Sequence, residues 1–278
     1  MNLMLLLAAF AGWIGPGVRV DPEPRIDLKP ATAAAFDKYL QGVDAAVSQR
    51  VSGAKNFLWL DDSPARRARV LKGEVVAERT GGSGPLKVPD GLVHDWIGAV
   101  FIPRVKLTQV LTFVQDYNHH KDFYGPEVVD ARILSRDGEH FVIYMRLKKG
   151  KMGVEVVLNT EHDAQFFRLD QARWHSRSRT TRIAELENPG TPKEREKPAG
   201  ADGGYLWGLS SYWRFVERDS GVYVECQAVS LSRGIPLGWF GRLLIGPIVN
   251  DLPKDSLMNT LTATREGALS RQQENQAP

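Results

Sequence analysis

The chain has 278 residues, enough for one large domain or for one domain with a smaller N-terminal attachment. Its 42% hydrophobic and 25% charged content is ordinary for a globular protein, and a net charge of +3, without a lysine-rich patch interleaved with aromatics, gives no argument for a nucleic-acid partner. The single cysteine, Cys226, excludes an internal disulfide and a multi-cysteine zinc site, and in mid-strand it reads as a small buried apolar residue.

Residues 1–20 read as a signal peptide. An apolar core from Leu3 to Ala9 is followed by Ala9-Phe10-Ala11, which has the small-x-small form of a cleavage site, although no Lys or Arg precedes the core. The run is shorter than the ~20 residues needed to span a bilayer. The favoured reading is a periplasmic or secreted protein whose mature chain begins after Ala11 or soon after it. An uncleaved anchor and a misassigned start are the alternatives. No later segment spans a membrane, since the apolar stretch 235–249 is broken by Pro236, Arg242 and Pro247.

Residues 21–87 form an N-terminal helical extension. Phe36, Leu40, Val43 and Val47 fall on one face of a helix over 32–52, with Thr32 placed to cap it and Gly53 to end it. VLKGEVVAE (70–78) is a short extended piece. TGGSGP (80–85) lacks the Lys-Ser/Thr ending of a phosphate loop and reads as a turn.

The main body, 88–270, opens on the strand WIGAVFIP. Leu107, Val110, Leu111, Val114 and Tyr117 then repeat at helical spacing, with Pro103 suited to the first turn. NHHKDFYGP is a short helical or turn segment ending at Gly125-Pro126. In ARILSRDGEHFVIYMRL, Asp137-Gly138 marks a two-residue hairpin, and Phe141, Ile143, Met145 and Leu147 alternate with more polar partners. VEVVLNTEH, FFRLD and RWHSRSRTTRIAEL continue the sheet, and residues 188–204, rich in Pro, Gly and charge, predict a mobile loop. YLWGLSSYWRFVE and VYVECQAVSLS make a last hairpin across 219–221. A closing helix carries an apolar stripe of Ile245, Ile248, Val249, Leu252, Leu257 and Leu261, with Asn250 or Asp251 as cap and Pro253 in its first turn; 271–278 is a flexible tail. The pattern predicts an α+β fold in which this helix covers one face of an antiparallel sheet of about six or seven strands.

The order of strand, two helices, a run of antiparallel strands and a long C-terminal helix resembles the START-like superfamily, also called the SRPBCC or helix-grip fold. FVQDYNHHKDFYGPEV (113–128) resembles the helix-to-strand turn of its polyketide-cyclase and coenzyme-Q-binding branch. SSYWRFVERDSGVYVECQAVSLSRGIPLG followed by GPIVNDLPKDSLMNTL resembles that branch's last hairpin and closing helix. The likeness covers about residues 88–270. It implies a curved antiparallel sheet wrapped around the C-terminal helix, with a cavity between them. The superfamily includes lipid carriers, hormone receptors and cyclases, so the resemblance carries shape further than function. The leader, the N-terminal helix and the 188–204 loop depart from the branch.

No catalytic motif and no cofactor motif stands out. His119-His120, with Asp116 and Asp122 nearby, is the one histidine pair, and adjacent histidines on a short segment diverge; it reads as a solvated or turn-packing pair rather than a metal site. His94 to Trp96 reads as strand packing, and Glu185 and Glu187 as solvated ends. In RWHSRSRTTRIAEL, alternation puts Trp174, Ser176, Ser178, Thr180 and Arg182 on one face. Arg173, His175, Arg177, Arg179 and Thr181 fall on the other, which suits solvent. Small serines on the inner face leave volume unfilled. Arg182 then either holds the polar end of a ligand or pairs with a buried acid such as Glu225. Phe141, Met145, Leu158, Trp213 and Phe215 would wall the pocket, and Leu257 and Leu261 would cover it. Trp239 and Phe240, in the loop GIPLGWFG, form a pocket gate or a transient membrane contact, with packing on the sheet as the plain alternative. These residues predict non-catalytic binding or transport of a lipid- or isoprenoid-class molecule. A cyclase- or aromatase-type enzyme with a polar cluster around Arg182 and Tyr144, and an envelope interaction module with a filled pocket, are the alternatives.

Overall fold

The computed structural model describes residues 28–53, 56–151, 154–198, 200–234 and 239–274. The signal-peptide segment lies outside them. Among the described residues no helix is long and apolar enough to cross a membrane.

Helix α1 (Pro30–Ser52) buries Phe36, Leu40, Val43 and Val47, the face that the spacing predicts, and ends at Gly53. Thr32 does not cap it. The residue lies inside the helix, fully buried, and its hydroxyl donates to the Pro89 carbonyl at 2.7 Å. A 3-10 turn (Trp59–Asp62) leads to α2 (Pro64–Leu71), whose start is capped by Ser63 accepting from the Arg66 amide. The helix takes up the beginning of the expected extended piece and leaves β1 as Val76–Arg79. Strand β2 (Leu86–Val88) is short, and β3 (Gly91–Pro103) is long and buried at nearly every position. Pro103 ends that strand rather than opening a helix. Helix α3 (Leu107–Gln115) starts four residues later, where the Glu217 carboxylate accepts from the Leu107 amide at 2.7 Å.

A 3-10 turn (Tyr117–His119) and α4 (His120–Phe123) precede β4 (Val128–Asp137) and β5 (His140–Lys151), joined through Gly138 at φ +56°. The segments VEVVLNTEH and FFRLD are one strand, β6 (Val154–Arg168). Then come β7 (Arg173–Glu187), β8 (Arg195–Glu196), β9 (Gly208–Arg218) and β10 (Gly221–Arg233). The closing helix, α5 (Trp239–Glu274), begins well before the expected caps Asn250 and Asp251 and runs through Pro247 and Pro253. Trp239 and Phe240 stand in its first turn instead of a loop, and their side chains lie outside the description.

The strands form one antiparallel sheet in the order β1-β3-β10-β9-β7-β6-β5-β4, with β2 beside β3 and β8 beside β7. Its ten strands exceed the expected six or seven because β1, β2 and β8 are extra pieces of four, three and two residues. Helix α5 lies against β3, β1 and β10 and beside α3. Leu257 and Leu261 pack there with Val100, Ile102, Val224, Cys226 and Phe215. At Gly98 the helix comes so close that a Cβ would stand 2.8 Å from Leu261 Cδ1. This is the α+β, helix-on-sheet architecture that the sequence implies.

The N-terminal extension covers the opposite, outer face of the same strands. Helix α1 packs on Val93, Tyr212, Val229 and Leu231, while Phe57, Leu58, Leu60 and Val70 pack on Ala99, Phe101, Val216 and Tyr223. Asp44 of α1 accepts from Tyr212 Oη at 2.9 Å and pairs with Arg179 at 2.5 Å. Arg179 thus serves as a docking point for the helix, half-buried rather than left to solvent.

Candidate ligand site on the inner face of the sheet

The register of β7 brings most of the expected residues together. Trp174 stands opposite Phe215, Ser176 opposite Trp213 and Ser178 opposite Ser211 on β9. On the other side Ser176 meets Phe166, Ser178 meets Ala164 and Thr180 meets His162 on β6. Strand β5 continues the face, with Phe141 opposite Ala164, Ile143 opposite His162 and Met145 opposite Thr160. Phe141, Phe215, Leu257 and Leu261 are buried in one cluster, with Met145, Trp174 and Trp213 packed at its margin. Leu158 is buried too, but it pairs with Leu147 farther along the face and outside that cluster.

Arg182 is not on this face. Between Glu161 and His162 the β6–β7 register slips, so that Thr180 pairs with His162 and Arg182 with Glu161, leaving Thr181 as an extra residue. One extra residue inverts every side chain beyond it. Arg182 therefore points outward, 43% exposed, bonded to Glu196 and 3.8 Å from Glu161. Nor is Glu225 its partner. That carboxylate is fully buried on the outer face and is bonded to Arg214 at 2.6 Å.

Tyr144 is also on the outer face, under the Arg132 guanidinium, and donates to Asn159 Oδ1 at 2.7 Å. Asn159 in turn donates to Glu196 at 2.9 Å, and Arg146 donates to Glu194 at the same distance. The cluster around Arg182 and Tyr144 thus exists, but it fastens residues 194–196 to the sheet instead of lining a pocket. Its hydrogen bonds from Arg182 and Asn159 hold the Glu196 carboxyl below the usual range. The segment expected to be mobile is tied down again by Glu185. That residue is buried, not a solvated end, and accepts from Lys197 Nζ at 2.6 Å and the Gly203 amide at 2.7 Å.

Two polar residues of the inner face escape the sequence reading. Thr160 is fully buried, donates to the Met145 carbonyl at 3.0 Å, and lies 2.9 Å from His162 Nε2. Burial pushes the His162 imidazole down to about 4, so it is neutral at neutral pH. Alternation from Leu158 places both residues on its face; dividing β6 into two segments hid the pattern. At the far end of β5, Lys149 bonds to Glu127 and donates to Ser256 Oγ of α5 at 2.8 Å. The histidine pair diverges as its spacing implies. His119 is exposed and 2.8 Å from Asp116, while His120 is buried between Tyr117 and Tyr124 with Nε2 donating to the Val114 carbonyl at 3.1 Å.

Although Trp174 and Trp213 lie on the core side of the sheet, both are only partly buried. Helix α5 sits toward β3 and β10, so it does not lie directly over β7 and β9. Two cavities among the described residues lie elsewhere. One of about 310 Å³ is lined by Leu71, Lys72, Phe101, Pro103, Arg265 and Leu269. The other, of about 70 Å³, is lined by Tyr39, Thr80 and Asp95 among others.

No family model and no curated protein matches the chain. Solved structures of similar arrangement include a protein from Thermus thermophilus, at 14% identity and a TM-score of 0.45, over 63% of this chain and 97% of that one. A STAR-related lipid transfer protein from Xanthomonas axonopodis is 15% identical over 67% and 97% of the two chains, with a TM-score of 0.44. An aromatase/cyclase from a Streptomyces species is 14% identical over 64% and 95%, with a TM-score of 0.41. All three likenesses are distant.

Proposed function

We propose that the chain binds or carries an apolar or amphipathic small molecule, of the lipid or isoprenoid class, on the inner face of β9, β7 and β6 without acting on it chemically. The observation that supports this reading is the partial exposure of Trp174 and Trp213 around the buried Ser176. Large indole surfaces on the core side of a sheet are ordinarily closed over by neighbours. Ser176, Ser178 and Ala164 place small side chains between them. Burying ligand surface there yields about 25 cal/mol per Å², less the cost of fixing the ligand, which allows micromolar binding with no catalytic group. The cyclase-type alternative loses the cluster it rested on, because Arg182 and Tyr144 face the other way.

The test replaces Ser176 or Ser178 by Phe in the purified chain and measures retained small molecules by native mass spectrometry and solvent extraction. The variants are expected to stay folded, at a cost of about 1–3 kcal/mol from overpacking, and to lose the bound molecule. Folded variants that retain as much ligand as the parent would overturn the proposal.

A further inference from the structure

We infer that the β3 end of this inner face receives an anionic head group, a carboxylate or a phosphate, on an otherwise apolar ligand, with Lys254, the Trp96 indole N–H and His94 as the recognising groups. The inference rests on the binding reading above and supplies the polar anchor that Arg182 does not. Trp96 and His94 stand two residues apart on the inner side of β3, 9% and 2% exposed. Trp96 Nε1 and His94 Nδ1 are both buried without a hydrogen-bond partner among the described residues. His94 Nε2 lies 3.1 Å from the Ser232 hydroxyl. With that hydroxyl donating to Nε2, Nδ1 carries the ring hydrogen, and both unpartnered atoms are donors.

Two cations lie against the same indole. Lys254 of α5 is half-buried, with Nζ 5.8 Å from the Trp96 ring centroid, and makes no ion pair among the described residues. The Arg79 guanidinium stands 4.4 Å from that ring. Burial and the positive charge of Arg79 hold the His94 imidazole down at about 4, so it carries no charge of its own at neutral pH. No carboxylate flanks the pair within the sheet. Trp96 stands between Arg79 on β1 and Ala228 on β10, and His94 stands opposite Ser230. Asp95 turns to the outer face, where it accepts from Tyr39 and Gln227, and Asp255, next to Lys254 in the chain, is exposed. Buried donors ordinarily find acceptors, and donors beside the Lys254 charge favour an acceptor that is itself ionised. From Trp96 the same row of the sheet runs through Ala228, Ser211 and Ser178, small side chains that join this end to the face proposed for the apolar chain.

The experiment titrates the full chain with three probes of equal length, dodecanoate, dodecyl phosphate and dodecan-1-ol, below micelle formation at about pH 7.5, by calorimetry. The anions are expected to bind at least about tenfold more tightly than the alcohol, one charge-assisted hydrogen bond being worth about that factor. The tighter of the two identifies the head as carboxylate or phosphate. Lys254→Met is expected to bring both anions to within about threefold of the alcohol, and Trp96→Phe, which keeps a ring but removes the N–H, to weaken them at least about threefold. Alcohol binding should be unchanged in both variants. An alcohol that binds as tightly as the anions, or an anion preference left whole by either substitution, would overturn the inference and leave the pocket standing. So would failure of all three probes to bind while the Ser176→Phe protein loses its ligand. Failure of all three together with unchanged ligand content in the Ser176→Phe protein would overturn the binding reading itself.

Discussion

A guanidinium does different work at two depths in this molecule. Arg182, 43% exposed, ties Glu196 to the outer face, and an exposed pair of this kind is worth no more than about 1 kcal/mol. Arg182→Leu should therefore cost less than about 1 kcal/mol, leave ligand content unchanged, and speed amide exchange over residues 194–197, measurable by hydrogen–deuterium exchange. A loss of ligand in that variant would mean that the side chain turns inward after all. Arg214 is 1% exposed, with Nε and Nη2 donating to Glu225 Oε1 at 2.7 and 2.6 Å, while Glu225 Oε2 accepts from the Leu60 amide at 3.2 Å. Removing one partner strands the other charge in the interior. Arg214→Met should cost about 3–5 kcal/mol, and Arg214→Met combined with Glu225→Leu should recover much of it. Urea denaturation of the parent, both single variants and the double variant gives the coupling. Simple additivity would show that the two groups do not act as a pair.

The stripe on α5 illustrates what helical spacing alone carries. Of the expected stripe, Leu257 and Leu261 are at most 3% exposed and Leu252 is half-buried, while the side chains of Ile245, Ile248 and Val249 lie outside the described residues; the buried face continues through Thr264 and Ala268, which the sequence reading did not include. Leu261→Ala should destabilise by about 2–5 kcal/mol, read from a denaturation midpoint, because the cavity it leaves faces Gly98, which has no side chain to fill it. An unchanged midpoint would mean that the helix does not press on β3. Such local patterns were legible in the sequence: the face of α1, the hairpins at Asp137-Gly138 and Asp219-Ser220, and the alternation of β7 from Trp174 to Thr180. What depends on a partner strand was not. The extra Thr181 shows itself only when β7 is paired with β6, and it turned Arg182 from a ligand anchor into an outer-face tie. The pairing of β8 with β7 across a Pro- and Gly-rich segment is nonlocal in the same way. Pro247 read as a break in the apolar stretch and Pro253 as part of the helix's first turn, whereas α5 runs through both.

At the scale of the whole molecule, the β3–β10 part of the sheet is covered on both faces, by α5 inside and by the N-terminal extension outside. That explains why β3 reads as an almost unbroken apolar run, although its antiparallel setting would predict alternation. For the leader we propose export with cleavage after Ala11 or soon after it; N-terminal sequencing of the protein made in its own cell that found Met1 retained would reject this. Burial of individual imidazoles also makes acid a specific threat. Burial pushes the imidazoles of His94, His120 and His162 down from 6.5 to about 4 in the folded chain. Each is free to take up a proton once the chain unfolds, so below pH 6.5 the unfolded state binds more protons and stability falls as pH falls. The contribution of each imidazole is fully present above pH 6.5 and is lost as pH drops through about 4, a total of about 3 kcal/mol per residue at most. Unfolding free energies measured between pH 7.5 and 5, above most carboxylate titrations, should decline steadily below pH 6.5. His162→Phe should remove part of that slope, since His94 and His120 share it and burial also lowers His175. A stability that stays flat to pH 5 would show that these imidazoles are hydrated in the folded state, and that the inner face around His162 is open to water.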